Sequence, residues 1–238
     1  MYKRQDVSSL YPLIVDNKVL DHGFVRVVDF MGSDAAIVQA ARVSYGKGTK
    51  AKREDDKLID YLMKNGHTTP FEMCQIKLHI KMPIFVARQI VRHRTASINE
   101  YSARYSILDE EFYIPNPEVI SEQSQTNKQG RKDVPLALEI ANSCVEDIET
   151  HCKDSYMVYQ DLLNMGVARE LARIVLPLNI YTQWYWAMDL NNLFKFLKLR
   201  LDKHAQYETR QYAEAIAEIV KAWVPISWLS FKMWHLDK

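Results

Sequence analysis

Glycine and proline are scarce, with 7 and 8 occurrences in 238 residues, against a combined share of roughly 12% in average proteins. Collagen-like, linker-like and low-complexity readings fit poorly, and glycine-loop cofactor motifs have little material to draw on. No G-x-G-x-x-G follows a strand pattern, and no G-x-x-x-x-G-K-[ST] occurs; Gly46-Lys47-Gly48-Thr49 is too short for the latter and reads as a plain loop. G-x-S-x-G is missing too. Neither sign of charge dominates, since 31 basic and 30 acidic residues leave a net charge of +1. That removes the bulk field of a general nucleic-acid or membrane-surface binder, so any anion site must be local. Long apolar runs are absent as well: Leu10 to Val15 stops at Asp16, too short for a signal-peptide core, and nothing approaches the ~18 residues of a membrane helix. Cysteine is limited to Cys74, Cys144 and Cys152, an odd number that points to free thiols in a reducing, cytoplasmic setting.

What remains is enough for a real core: 47% of residues are hydrophobic and 26% charged. The pattern predicts a strand over Gly23–Gly32, a helix over Asp34–Val43 and another over Glu54–Asn65 closed by Gly66. Gln75–Lys81 sets Ile76, Leu78 and Ile80 against Gln75, Lys77, His79 and Lys81, the period of a half-buried strand. Pro83 then opens a helix to about His93, and Glu100–Ile107 is strand or irregular. Pro115–Lys132 is polar and reads as a long surface loop. Val134–Asn164 is helical up to Gly166, Ala168–Leu176 is a short helix stopped by Pro177, and Leu178–Met188, aromatic and β-branched, is a strand. Helices over Leu190–Lys203 and Tyr207–Trp223 follow, the second ended near Pro225. The expected fold is α+β, one domain over residues 1–238 with a mainly antiparallel sheet flanked by helices.

Chemistry concentrates between Arg88 and Tyr105, where four of the basic residues are arginine and none is lysine. Arginine offers a planar fork matched to phosphate and carboxylate, so the choice suggests geometric recognition of an anion. Gln89, Arg92 and His93 stand at i, i+3 and i+4, which on a helix puts amide, guanidinium and imidazole on one face. Arg92, His93 and Arg94 could instead simply complement the negative end of the helix dipole. The tail of Ser97, Asn99, Glu100, Ser102 and Arg104 tips the balance, because it adds mixed donors and acceptors directly after the basic triplet. A second signal is Arg200, which shares an apolar stripe with Leu193, Phe196 and Leu197. A charge there needs a partner, either an internal carboxylate or a ligand. Arg169 and Arg173 raise the same question, with Glu170 a ready local partner for Arg169. His67-Thr68-Thr69-Pro70-Phe71-Glu72 reads as a capping box, Thr69 at the N-cap and Glu72 reaching back. No histidine pair has zinc spacing with a third ligand nearby, so no metal is expected.

The run Arg92-His93-Arg94-x-x-Ser97-x-Asn99-Glu100-x-Ser102-x-Arg104-Tyr105 resembles the signature of the flavin-dependent thymidylate synthases, with every motif position filled. The resemblance extends from Gly23 to roughly Tyr212 through GHTTPFE, PIFVARQ, ARIVLPLN and LRLDKHAQ. It implies a homotetramer with active sites between subunits, acting on deoxyuridine monophosphate (dUMP). FAD, methylenetetrahydrofolate and NADPH (or NADH) would serve the reaction, and neither nucleic acid nor membrane would be a partner. By position, Gln89, Arg92, Glu100, Ser102, Ala103, Arg104, Arg173 and Arg200 would hold the nucleotide. Ser44, Thr69, Glu72, Arg92, His93, Arg94, Glu100 and Asn191 would line the flavin, with His67 near flavin and folate. Arg200 would be catalytic, facing the uracil and favouring ionisation at N3. No cysteine is placed to add to the ring, so arginine electrostatics and a flavin hydride would replace it. Asp189, Asn191 and Lys195 stand where family members tend to carry Asn and Arg, and an Asp beside a pyrophosphate would repel unless it caps the next helix. A non-catalytic nucleotide- or RNA-binding module and a structural oligomer with arginines paired across subunits are the competing readings.

Overall fold

The computed structural model describes residues 15–43 and 54–237. Strands β1 (Asn17–Val19) and β2 (Gly23–Met31) lead into helices α1 (Asp34–Val43), α2 (Asp55–Lys64) and α3 (Thr69–Glu72). Then come β3 (Gln75–Pro83), α4 (Ile84–Ile90), β4 (Ser97–Glu100) and the short strands β5 (Ser121–Gln123) and β6 (Arg131–Pro135). The long α5 (Leu138–Asn164) and short α6 (Arg169–Ala172) precede β7 (Tyr181–Asp189), α7 (Leu190–Arg200), α8 (Tyr207–Trp223) and α9 (Pro225–Phe231). Five strands form one antiparallel sheet in the order β1-β2-β3-β7-β4, and β5 and β6 pair separately. The architecture is α+β, a single domain whose antiparallel sheet is flanked by helices.

Alternation decides which face of the sheet is covered. Ile76, Leu78, Ile80 and Met82 of β3 join Trp184, Trp186 and Met188 of β7 in the main core, together with Leu193, Phe196, Leu197, Tyr212 and Ile216 from the helices. On the other face Arg26, His79 and Gln183 form a row across three strands, Arg26 donating to His79 Nδ1 at 3.1 and 2.8 Å while His79 Nε2 bonds Gln183 Oε1 at 2.8 Å. A bulge at Val28 shifts the phase of β2, so Val25 and Val27 point into the core before it and Phe30 packs there after it. A smaller core, built on Ala103, Leu108, Phe112, Tyr156, Tyr159, Ala172 and Ile180, binds α5 and α6 to the segment after β4.

Helix ends follow the expected glycines. Gly66 (φ 69°) and Gly166 (φ 84°) take the left-handed conformation, letting His67 N reach Leu62 O at 2.9 Å and Val167 N reach Leu162 O at 2.9 Å, the double-bonded stop that satisfies the last carbonyls. Other boundaries differ from the sequence pattern. Pro115–Lys132 is not plain loop: it carries a 3-10 turn (Pro117–Val119), β5 and the start of β6. The helix expected from Val134 begins at Leu138, because a residue preceding proline is driven to extended backbone and Val134 precedes Pro135. Likewise Ala168–Leu176 splits into α6 and a 3-10 turn (Arg173–Val175), with Leu176 extended before Pro177. Strand β7 starts at Tyr181 instead of Leu178, since the carbonyls of Leu178 and Ile180 are occupied by the free amides of Phe85 and Ile84 at the start of α4. Pro225 does not only end α8; it opens α9, whose first amides and the Ser227 hydroxyl donate to the buried Asp34 carboxylate at 2.6–3.0 Å.

Candidate active site

Helix α4 ends at Ile90, so Arg92 and His93 lie in the turn beyond it rather than on a helical face with Gln89. The three expected partners therefore separate: Gln89 and His93 meet through Arg200, and Arg92 does not. Arg200 Nε donates to His93 Nε2 at 3.0 Å and Nη2 donates to the Gln89 carbonyl at 3.1 Å. Burial, then the Arg200 charge, pushes the His93 imidazole down to about 4, so it accepts from Arg200 as a neutral ring protonated on Nδ1. Its edge lies against Phe196 at 4.9 Å. The apolar stripe on α7 thus ends in a half-buried guanidinium, and no described carboxylate neutralises it. The internal salt bridge considered from sequence is not what holds Arg200.

A second group forms where β4 leaves the sheet. Glu100, opposite Trp184, accepts from the buried Thr182 hydroxyl at 2.7 Å. Its position follows from the strand, because Tyr101 N still bonds Gln183 O at 2.8 Å. The chain then turns, with Tyr105 N on Ser102 O at 3.1 Å and Arg104 N on the Ser102 hydroxyl at 3.3 Å. Ala103 is buried in the smaller core, which fixes the turn. Glu170 pairs with Arg104 at 3.0 Å, not with Arg169 as expected; Arg169 instead donates to the Tyr105 carbonyl at 2.5 Å. The reason is geometric: α6 packs over the turn, so its two charged residues grip that turn from above. Arg173, one helical turn on, is exposed, as are Arg92 and Arg94, and none of the three has an ion pair among the described residues.

Of the expected flavin residues, Thr69, Glu72 and Asn191 lie at the other end of α7, whereas His93 is bonded to Arg200 and Glu100 is on β4. Thr69 is the first helical residue, Thr68 is the cap position, and no side chain caps α3. The capping box is thus not formed; Pro70 already supplies an N-terminal helix residue without an amide to satisfy. Glu72 is turned instead toward Asn191, whose Nδ2 donates to it at 3.3 Å. Asp189 caps α7 through Asn192 N at 2.8 Å, which directs its charge to the helix N-terminus. Lys195 bonds Asn192 at 3.3 Å. His67 is exposed and stacked on Tyr61 at 5.8 Å. Ser44 lies outside the described residues. Asn191 and Arg200 are nine residues apart on α7, so these two clusters are roughly 13 Å apart at about 1.5 Å per residue.

Among the described residues, no three His, Cys, Asp or Glu side chains gather as a metal site, and no helix is long and apolar enough to cross a membrane. A cavity of about 500 Å³ lies between α5 and the Tyr113–Pro115 segment, lined by Phe85, Ile148, His151, Cys152 and Asn179, and it includes none of the arginines. Cys74 is fully buried, and its thiol is pushed up to about 12 chiefly by that burial. It is no thiolate at neutral pH. Sequence reasoning missed Thr182 and the Glu170–Arg104 pair. A polar residue on the buried parity of β7 was a signal for Thr182; nothing local marked Glu170.

These clusters lie on a chain whose relatives are named. The family model described as "Thymidylate synthase complementing protein" matches residues 26–226. The chain is 58% identical over 228 residues to a flavin-dependent thymidylate synthase of Wolbachia pipientis wMel, covering 94% of this chain and 79% of that protein. The chain belongs to the flavin-dependent thymidylate synthase family. A flavin-dependent thymidylate synthase from Anaplasma marginale is 59% identical over 220 residues, covering 92% of this chain and 75% of its own length. Among solved structures, a UMP/dUMP methylase PolB from Streptomyces cacaoi bound with 5-Br dUMP superposes with a TM-score of 0.82 at 29% identity, over 92% of this chain and 98% of its own. As a flavin-dependent thymidylate synthase, the protein is a methylating enzyme.

Proposed function

We propose that the enzyme converts dUMP to deoxythymidine monophosphate, taking the carbon from methylenetetrahydrofolate and the hydride from FAD that NADPH (or NADH) has reduced. It works as a cytoplasmic homotetramer, one domain per chain, with neither nucleic acid nor membrane as partner. The observation that carries this reading is Arg200, a half-buried guanidinium anchored by a neutral imidazole and a carbonyl. Its charge stays directed at whatever lies beside it, and it stabilises negative charge on a uracil ring, with ionisation at N3 raising the nucleophilicity of C5. Ser102 serves as a hydrogen-bonding group rather than a nucleophile, because its oxygen accepts from Arg104 N and no described base activates it. Arg92, Arg104 and Arg173 supply forks for the monophosphate, and Gln89, Glu100 and the Ala103 backbone contact the rest of the nucleotide.

The donor set also suits FAD. Exposed Arg92 and Arg94 suit a pyrophosphate, and Thr69, Glu72, Glu100, His93 and Asn191 offer polar edges for ribose and ring, with Ser44 as a further contact and His67 beside flavin and folate. Asp189 is spent on capping α7, so it does not count against a phosphate nearby. When bound, FAD supplies the redox chemistry that no protein side chain can. The separation of the Glu72–Asn191 cluster from the Arg200 cluster supports sites shared between subunits. So do Leu171, Ile174 and Met165, large apolar side chains exposed on one chain.

The deciding assay is NADPH oxidation that depends on both dUMP and methylenetetrahydrofolate, with both products identified. Because the hydride comes from outside the folate, the folate must leave as tetrahydrofolate. Oxidation indifferent to dUMP, or dihydrofolate as product, overturns the reading.

A further inference from the structure

Glu208, in the first turn of α8, is a buried carboxylate with both oxygens engaged. Oε1 accepts from Arg131 Nη2 at 3.0 Å and from the Tyr113 hydroxyl at 3.3 Å, and Oε2 accepts from Gln206 Nε2 at 3.0 Å. Arg131 belongs to β6, where its other arm holds the Val119 carbonyl at 2.9 Å and its guanidinium lies 4.9 Å from the Tyr207 ring. The β5–β6 hairpin is thereby tied to the first turn of α8. Gln206 in turn accepts from Gln89 Nε2, and Gln89 carries the carbonyl that anchors Arg200.

The direction of every bond in this line is forced. An ionised carboxylate has no proton to give, so Gln206 must present its amide nitrogen to Glu208. Its oxygen then faces Gln89, and Gln89 must donate. That leaves the amide oxygen of Gln89, the residue whose main-chain carbonyl anchors Arg200, as an acceptor with no partner among the described residues. Exchanging the carboxylate for a group that can donate would let both amides turn over together.

We infer that Glu208, held by Arg131, is a positioning residue that sets the amide orientation of Gln206 and Gln89, and so makes Gln89 present an acceptor to a donor group of the bound nucleotide. This rests on the nucleotide reading of the Gln89–Arg200 cluster. Neither Glu208, Gln206 nor Arg131 is assigned to the site by the motif run, and all three act at one remove from it.

The test is a double-mutant cycle read by calorimetric titration of dUMP into the FAD-loaded enzyme. Glu208→Gln keeps shape and volume but frees the amide order, and should weaken dUMP about tenfold, the scale of one mismatched polar contact. Gln206→Met changes an exposed side chain, so folding is retained, and should weaken dUMP roughly fivefold by releasing Gln89. If Glu208 acts through Gln206, the double variant binds no worse than about tenfold below wild type, because the second change has nothing left to disturb. Multiplication of the two effects to about fiftyfold shows a general structural role and overturns the inference. So does wild-type dUMP affinity in Glu208→Gln or in Gln206→Met. If the wild-type enzyme itself does not bind dUMP, the nucleotide reading fails first; if it binds and the cycle is additive, only the relay fails.

Discussion

Arg200 and His93 are 107 residues apart in the chain and joined by one hydrogen bond of 3.0 Å, guanidinium Nε–H to imidazole Nε2. The bond exists only while the imidazole is neutral, and burial keeps it so down to about pH 4. The cation on Arg200 is thus held in place without being cancelled. Arg200→Ala is expected to lower kcat by at least about a hundredfold, the usual cost of removing one preorganised charge at a reacting centre, while flavin absorbance is retained. Ser102→Ala should keep measurable turnover. Steady-state thymidylate formation by the two variants checks both, and equal abolition with nucleotide still bound would show that Ser102 has the larger role.

The same bond fixes the sign of a pH effect. His93 binds a proton more weakly in the folded protein than its ordinary value near 6.5. Above that value neither state is protonated and its contribution is complete. As pH falls from about 6.5 to about 4, the unfolded chain takes up a proton that the folded chain refuses, so stability declines, and below about 4 the decline stops. His93→Gln offers an oxygen to Arg200 and does not titrate. Urea midpoints measured between pH 7 and pH 4 should fall more steeply for the wild type than for this variant; parallel curves would place the proton elsewhere.

Glu170 and Arg104 separate stability from function. Both side chains are more than half exposed, and exposed pairs contribute at most about 1 kcal/mol. Glu170→Gln should therefore leave the thermal midpoint nearly unchanged. Yet it releases Arg104 from α6, so KM for dUMP should rise several-fold with little change in kcat. A matched fall in kcat would show that the pair does more than hold a binding group.

Much of this molecule was legible where a residue type has one local use. Gly66 and Gly166 marked helix ends because only a left-handed position stops a helix there, and the alternation of Gln75–Lys81 gave both the strand and its buried face. Pro225 was ambiguous, since proline ends one helix and starts the next with the same stereochemistry; the deciding partner, Asp34, is 192 residues from Ile226. The β5–β6 hairpin lacked a signal because its strands are only three and five residues long and show no apolar alternation. At the site, the Arg88–Tyr105 run stood out through its four arginines. What it could not announce was the sorting of those arginines: Arg104 to Glu170, Arg200 to His93, Arg92 to no described partner. Those pairings depend on how β4, α6 and α7 come together, and no local spacing encodes them.

Asp189 offers a test of how the N-terminal end of α7 is kept. Its carboxylate caps the helix through Asn192 N at 2.8 Å and also accepts from the Asn192 amide. Asn caps as well as Asp does, so Asp189→Asn should hold stability within about 0.5 kcal/mol. Asp189→Ala should cost about 1 kcal/mol and loosen Asn191, weakening FAD, which equilibrium dialysis against FAD would read. Equal stability of all three would mean that packing of Leu190 and Leu193 alone sets the start of the helix.

The last expectation concerns the thiols. A synthase that adds a thiolate to the uracil ring needs a cysteine that ionises near neutral pH and reaches the substrate. Cys74 does neither: it is fully buried, bonded to the Ser33 carbonyl at 3.5 Å and pushed up to about 12. Cys152, on α5, is buried in the smaller core, its thiol raised by burial and bonded by Asn179 at 3.1 Å, whereas α7, which carries Arg200, packs into the main core. Cys144 is half-buried on the same helix as Cys152. Replacing Cys74 by Ala removes a small buried side chain, so a stability loss of about 1 kcal/mol is expected from the lost packing. Turnover per folded enzyme should remain within a few-fold, and the Cys144→Ala and Cys152→Ala variants should behave alike. Mass spectrometry of enzyme incubated with a 5-halogenated dUMP should find no thioether on any of the three. A stable cysteine adduct at C6, or loss of turnover in a fully folded Cys74→Ala enzyme, would put nucleophilic sulfur back into the reaction and leave Arg200 a supporting charge.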